Sequence, residues 1–162
     1  MAEKYILYNP NAGGPEAEKA IKSLRDADSG AVAINMCRIT SYETFFNGLE
    51  PEDTVIICGG DGTLNRFVND IDGIPIRNSL YYYPTGTGND FARDVGQKTF
   101  SAPTVCLNPY FERLPRVSVK GKDDLFLNNV GFGIDGYCCE VGEKMREENR
   151  KREVPKPINY TK

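Results

Sequence analysis

Three glycine-rich segments fall at one kind of place in this chain, directly after an apolar strand-like run and directly before a helical pattern. Asn9-Pro10-Asn11-Ala12-Gly13-Gly14 follows residues 4–8 and precedes residues 16–25. Gly59-Gly60-Asp61-Gly62-Thr63 follows residues 54–58 and precedes residues 64–71. Pro84-Thr85-Gly86-Thr87-Gly88-Asn89-Asp90 follows residues 80–83 and precedes a short helix near residues 91–95. Strand–loop–helix units repeated in this way argue for a parallel sheet with helices on both sides. Parallel strands all end on one rim, so the three loops are expected to meet there, where ligands of open α/β sheets bind.

The rest of the chain fills in this plan. Residues 31–39 read as a second strand and residues 42–49 as a short helix. The run Thr54-Val55-Ile56-Ile57-Cys58 lacks polar alternation and reads as a strand buried on both faces. Leu64, Phe67, Val68 and Ile71 recur at helical spacing, and Pro15 suits a first helical turn. Together these predict a doubly wound, parallel α/β domain over residues 1–105. Beyond residue 95 the pattern changes. Residues 104–107, 116–120 and 125–129 read as strands without long helices between them, with turns at 108–109 and 120–124. Residues 106–162 are therefore expected to begin a second, β-rich domain. It includes a helix over residues 134–152 that Pro155 and Pro157 stop. No closing strand follows, so this domain reads as truncated. Unpaired edges over residues 116–129 would invite pairing with a second chain, a possible homodimer.

Composition removes several functions. The chain has no histidine, which argues against a zinc enzyme or a Ser-His hydrolase and leaves acid–base work to carboxylates, lysines or tyrosines. Its five cysteines form no C-x-x-C pair. Cys37, Cys58 and Cys106 lie in apolar runs and read as buried thiols. The formal net charge of −3 gives no sign of nucleic-acid binding. No run approaches the roughly 20 apolar residues of a membrane span, so a cytoplasmic protein is expected.

The loops suggest their own chemistry. Glycine lets backbone N–H groups approach an anion, and helix N-termini add partial positive charge. Thr63 and Thr87 add hydroxyls; Asn9 and Asn11 add side-chain amides. Each feature has a plainer reading. Gly13-Gly14 alone is usually only a turn, and Asp61, Asn89 and Asp90 are all suited to cap helices. Three such loops at equivalent strand ends favour an anionic ligand over packing. The chain contains neither G-x-x-x-x-G-K-[ST] nor a G-x-G-x-x-G after the first strand, so neither a P-loop nor an ordinary dinucleotide site is indicated.

At these residues the sequence resembles the catalytic domain of diacylglycerol and sphingosine-type lipid kinases. The blocks are Asn9-Pro10 with Gly13-Gly14, Gly59-Gly60-Asp61-Gly62-Thr63-Leu64-Asn65, and Pro84-x-Gly86-Thr87-Gly88-Asn89-Asp90-Phe91-Ala92-Arg93. A fourth, Asn128-Asn129-Val130-Gly131-Phe132-Gly133-x-Asp135, looks like the family's entry into its second domain. The third block is the most specific. The resemblance implies a two-domain kinase that uses ATP and Mg2+ and phosphorylates a lipid at a membrane surface, with peripheral membrane association. It places Asn9, Asn11 and Gly13 beside the phosphates, Thr40 against the nucleotide at the end of the second strand, Gly60 to Arg66 around it, and Thr87 completing the pocket. Asp61 takes an electrostatic or magnesium-linked catalytic role, and other metal ligands are unassigned. Two residues depart from the family pattern: Arg66 stands where Glu is usual, and Ala12 where a small hydroxyl residue is common. The carboxylate base of the family's second domain has no counterpart in the sequence.

Two rival readings remain. An NAD kinase-like enzyme would share Gly59-Gly60-Asp61-Gly62, and a module that keeps nucleotide without catalysis would share all the loops. The basic residues Lys144, Arg146, Arg150, Lys151 and Arg152 invite a membrane contact. However, Glu143, Glu147, Glu148 and Glu153 interleave with them, which reads better as a solvated helix face.

Overall fold

The computed structural model describes residues 2–12, 14–97 and 105–151. The expectations for Gly13, Thr104, Pro155, Pro157 and the end of the charged run lie outside the described residues. The chain divides into two compact units, Met1–Asn128 and Asn129–Lys162. The first runs β1 (Lys4–Tyr8), α1 (Gly14–Ala27), β2 (Val32–Asn35), a 3-10 turn (Met36–Arg38), α2 (Tyr42–Asn47), β3 (Thr54–Gly59), α3 (Asp61–Asp70) and β4 (Ser79–Pro84). It continues with α4 (Asp90–Asp94), β5 (Val105–Cys106), α5 (Asn108–Phe111), β6 (Arg116–Val119) and β7 (Lys122–Leu125). The second unit holds α6 (Ile134–Arg150), whose Lys144 pairs with Glu140 one turn earlier. No described helix is long and apolar enough to cross a membrane.

The main sheet has the order β2-β1-β3-β4-β5. The first four strands are parallel, as their spacing predicted, with Tyr8 opposite Cys58 and Cys58 opposite Tyr83. The loops after β1, β3 and β4 therefore leave the sheet side by side. The chain moves outward from β1 to β2, then returns across β1 to β3. The switch point lies between β1 and β3, where a crevice opens in folds of this kind.

Alternation along the strands sorts side chains between two cores. Leu7, Val55, Ile57, Leu80 and Tyr82 face one side, together with Phe46, Leu64, Phe67 and Phe91 of α2, α3 and α4. Ile6, Ile56, Cys58 and Tyr83 face the other, with Ala20 of α1. Each fully buried Leu, Ile or Phe contributes about 1.5–3 kcal/mol. The Tyr81-Tyr82-Tyr83 run is thus a core strand whose members alternate between faces. The predicted helical stripe Leu64, Phe67, Val68 and Ile71 is buried throughout.

Three features differ from the sequence reading. Strand β2 ends at Asn35, because the Asn35 side chain accepts the Cys37 amide and turns the chain into the 3-10 turn. Cys37 is exposed as a result, not buried. Strand β5 does not begin a separate region: it joins the main sheet as an antiparallel edge, with Val105 opposite Tyr82. The second strand of the last hairpin starts earlier than expected, at Lys122, because Lys120 and Gly121 both take positive φ (53° and 79°) and close a two-residue turn.

That hairpin hangs from α3. Asn69 donates to the Leu125 carbonyl (2.9 Å) and accepts the Leu125 amide (2.7 Å), acting as a one-residue strand partner. Arg116 grips both carboxylate oxygens of Asp72, at 3.1 and 2.8 Å.

Candidate functional site

The parallel-strand rim is built from backbone contacts that only glycine permits. A methyl group on Gly86 would lie 2.6 Å from the Gly60 Cα, so loops two and three touch backbone to backbone. The Thr85 amide donates to the Gly59 carbonyl at 2.8 Å and clips loop three to the end of β3. Gly59 is fixed from below: a methyl group there would sit 2.5 Å from the Thr63 Cβ. The Thr63 side chain is accordingly buried against the strand end.

Loop three is closed by Asn89. This residue is buried, has a left-handed backbone (φ 53°), accepts the Gly86 amide at 2.9 Å and donates to the Gly86 carbonyl at 2.8 Å. It therefore does not cap α4 with its side chain. That task falls to Asp61, whose Oδ1 accepts the Phe91 amide at 3.0 Å. Asp61 is the first residue of α3, and the N-cap, Gly60, offers no side chain. The first turn of α3 thus has no side-chain cap, a feature shared by helix N-termini that bind anions. Beside it, a Cβ on Gly88 would lie 3.3 Å from Asp61 Oδ2 and 3.4 Å from Asp90 Oδ2. Glycine leaves an opening there that two carboxylate oxygens face. The other Asp90 oxygen, Oδ1, is 3.6 Å from an Arg93 nitrogen.

Loop one is folded on itself and braced by the turn after β2. Asn9 Oδ1 accepts the Asn11 amide at 2.9 Å, and the Asn9 carbonyl accepts the Ala12 amide at 3.1 Å. The Cys37 sulfur stands 3.8 Å from both Asn9 Oδ1 and Asn11 Nδ2. Gly14 opens α1.

The remaining predicted residues fall around this rim. Thr87 is exposed at the tip of loop three, and Gly62 is open, with nothing within 4 Å of an added Cβ. Arg66 is exposed on α3, and Asn65 is partly buried, its carbonyl accepting from the Asn69 side-chain Nδ2. Thr40 is exposed between the 3-10 turn and α2, rather than at a strand end. At the other end of α3, a hollow of about 330 Å³ is lined by Val68, Ile71, Asp72, Ile74, Phe111 and Leu125.

Two buried hydroxyls, one on β4 and one on loop three, were not singled out from sequence. Tyr82 Oη and Thr85 Oγ1 have no hydrogen-bond partner among the described residues. Each such group costs about 1–3 kcal/mol. Burial, then the charge of Asp61 and of Cys58, raises the Tyr82 pKa. The signal was the parity of the tyrosine run, which puts Tyr82 on the α3 face.

The class this defines is an open, mostly parallel α/β protein whose glycine-lined loops and one helix N-terminus gather at a single rim, flanked by two carboxylates. Residues 3–117 match the family model for the diacylglycerol kinase catalytic domain, and the chain belongs to that family. It is 26% identical over 141 residues to a diacylglycerol kinase of Bacillus subtilis (strain 168), covering 83% of this chain and 41% of the relative. It is 36% identical over 94 residues to a diacylglycerol kinase of Staphylococcus aureus (strain bovine RF122 / ET3-1), covering 54% of this chain and 30% of the relative. A crystal structure of a diacylglycerol kinase from Bacillus anthracis str. Sterne aligns with 75% of this chain and 47% of its own, at 24% identity and a TM-score of 0.47. The chain thus spans less than half the length of the curated relatives it matches.

Proposed function

We propose that this chain is the nucleotide-binding part of an ATP-dependent lipid kinase, which passes the γ-phosphoryl group to a lipid hydroxyl such as that of diacylglycerol at a membrane surface. The single observation that carries the reading is the Gly60–Gly86 contact. It brings two phosphate-competent loops together and leaves the N-terminus of α3 open beside them. Membership of the kinase family supports it.

In this reading the first amides of α3 and the backbone of loop three hold phosphate oxygens. Asn9 and Asn11 border them from loop one, and exposed Thr87 and Arg66 add a hydroxyl and a positive charge. Phosphoryl transfer depends mainly on positioning and charge neutralisation. A carboxylate such as Asp61 in an anion cradle repels phosphate unless a cation stands between them. Among the described residues no group of three or more Cys, Asp or Glu side chains is placed to hold a metal. Magnesium, however, is commonly held by one or two carboxylates plus substrate phosphates. Asp61 Oδ2 and Asp90 Oδ2, both beside Gly88, fit an ion that arrives with the nucleotide. Bound there, it would neutralise phosphate charge.

The test separates binding from transfer. Calorimetric titration of ATP with magnesium is expected to give saturable binding that Gly86→Ala abolishes. Incorporation of labelled phosphate into diacylglycerol in mixed micelles then reports the reaction. Absence of nucleotide binding with and without magnesium overturns the reading.

A further inference from the structure

Tyr82 is fully buried in the centre of the sheet, yet its hydroxyl has no hydrogen-bond partner among the described residues. Its ring packs against Phe91, with centroids 6.3 Å apart. The Phe91 amide is the group that Asp61 Oδ1 holds at 3.0 Å. Tyr82 also lies opposite Ile57 of β3, two residues before the loop that carries Asp61. The Tyr82 ring thus packs on the first turn of α4, the turn that Asp61 caps. Phenylalanine would fill the same space without placing a polar atom in an apolar core. A donor left there is unfavourable unless it has a task.

Asp61 supplies the matching acceptor. Its Oδ1 is taken by Phe91 and its Oδ2 lies beside Gly88, and a carboxylate oxygen accepts more than one hydrogen bond. We propose that Tyr82 is a positioning residue for Asp61: its hydroxyl donates to one buried water, which donates to the Asp61 carboxylate and fixes its orientation toward the phosphates. A buried water that bridges two polar groups is an ordinary structural component. The raised pKa of the phenol, caused first by burial and then by Asp61, keeps the hydroxyl protonated and therefore a donor throughout the physiological range. The proposal deepens the nucleotide reading above and rests on it for the binding measurement only.

The experiment uses the full chain as wild type, Tyr82→Phe, Asp61→Asn and the double variant, with Tyr81→Phe as a control on the opposite face. The Tyr82→Phe change is isosteric and keeps the core packed. Titration with magnesium and ATP is expected to show affinity lowered about five- to twentyfold in Tyr82→Phe, with no further loss when the change is added to Asp61→Asn. Tyr81→Phe is expected to bind like wild type. Wild-type affinity in Tyr82→Phe, or an equal loss in the Asp61→Asn background, overturns the proposal. If the wild-type chain binds no nucleotide, the nucleotide reading fails by itself, and urea unfolding of wild type, Tyr82→Phe, Asp61→Asn and the double variant decides. Non-additive effects of the two substitutions on the midpoint support the water bridge, and additive effects overturn it.

Discussion

Asp61 Oδ1 holds the Phe91 amide at 3.0 Å, so the first residue of α3 caps α4 from across the loop junction. One carboxylate thus has a structural bond and, in the kinase reading, an electrostatic role. Substitution separates them. Asp61→Asn keeps an oxygen for the Phe91 amide and is expected to cost less than about 1 kcal/mol. Asp61→Ala strands that amide and costs about 1–3 kcal/mol. In a complete enzyme carrying this domain, both lose phosphoryl transfer by roughly 100-fold or more. Urea unfolding measures the first quantity and turnover the second. Near-normal turnover in Asp61→Asn would leave Asp61 as a cap alone.

Gly86 and Gly62 are predicted to respond oppositely to alanine. At Gly86 the new methyl group meets the Gly60 Cα at 2.6 Å and Asn89 Oδ1 at 2.9 Å. The loops must separate, at about 1–3 kcal/mol as for other overpacking. At Gly62, inside α3, an added methyl group meets no described residue beyond its own helix turn within 4 Å, and alanine gains about 0.5–1 kcal/mol of helix stability. Thermal unfolding of the two variants should move in opposite directions.

Asn69 gives a third prediction. Removing its side chain in Asn69→Ala leaves the Leu125 amide and carbonyl without their partner from α3. The expected loss is about 2–3 kcal/mol, and hydrogen exchange at the Leu125 amide should quicken well before that at β3. The Arg116–Asp72 pair is half-exposed on both sides, so Arg116→Ala is expected to cost under about 1 kcal/mol. An Arg116→Ala effect larger than that of Asn69→Ala would reverse this ranking.

Cys58 makes stability depend on alkaline pH. Burial pushes its thiol up to about 12 from an ordinary 9.0. As pH rises above 9 the unfolded chain loses this proton while the folded chain keeps it. The contribution is fully present below pH 9 and declines by up to about 1.4 kcal/mol per unit until pH reaches about 12. Urea midpoints at pH 8, 9 and 10 should fall more steeply for wild type than for Cys58→Val. A parallel fall in the two proteins would remove Cys58 as the cause.

The parts of this molecule legible in its sequence are those written in short-range patterns. Apolar runs followed by glycine clusters marked β1, β3 and β4 and put their loops on one rim. The spacing of Leu64, Phe67, Val68 and Ile71 marked the buried face of α3. What escaped depended on single side-chain bonds or on partners distant in the chain. Asn35 ends β2 by accepting one amide, and no hydrophobic pattern records that, so Cys37 was assigned to a core it does not enter. Val105 pairs antiparallel with Tyr82 because an edge was available, which is a tertiary fact. In the candidate site the glycines were readable as types that admit close backbone approach. The Asp61–Phe91 bond, 30 positions apart, and the Tyr82 hydroxyl without a partner among the described residues required coordinates.

Strand β5 is only two residues long and runs against its one neighbour in the sheet, β4. Four parallel strands deliver the polypeptide to the same mouth each time, and a further crossover unit would have delivered it there again. The reversed strand carries it to the opposite floor of the sheet instead, since Leu107 bonds to Leu80 near the start of β4. Such a reversal works as punctuation: it ends the repeating grammar of strand and helix, and α5 starts from the rim opposite the glycine loops, where Asn108 bonds to Leu80 and Asn78.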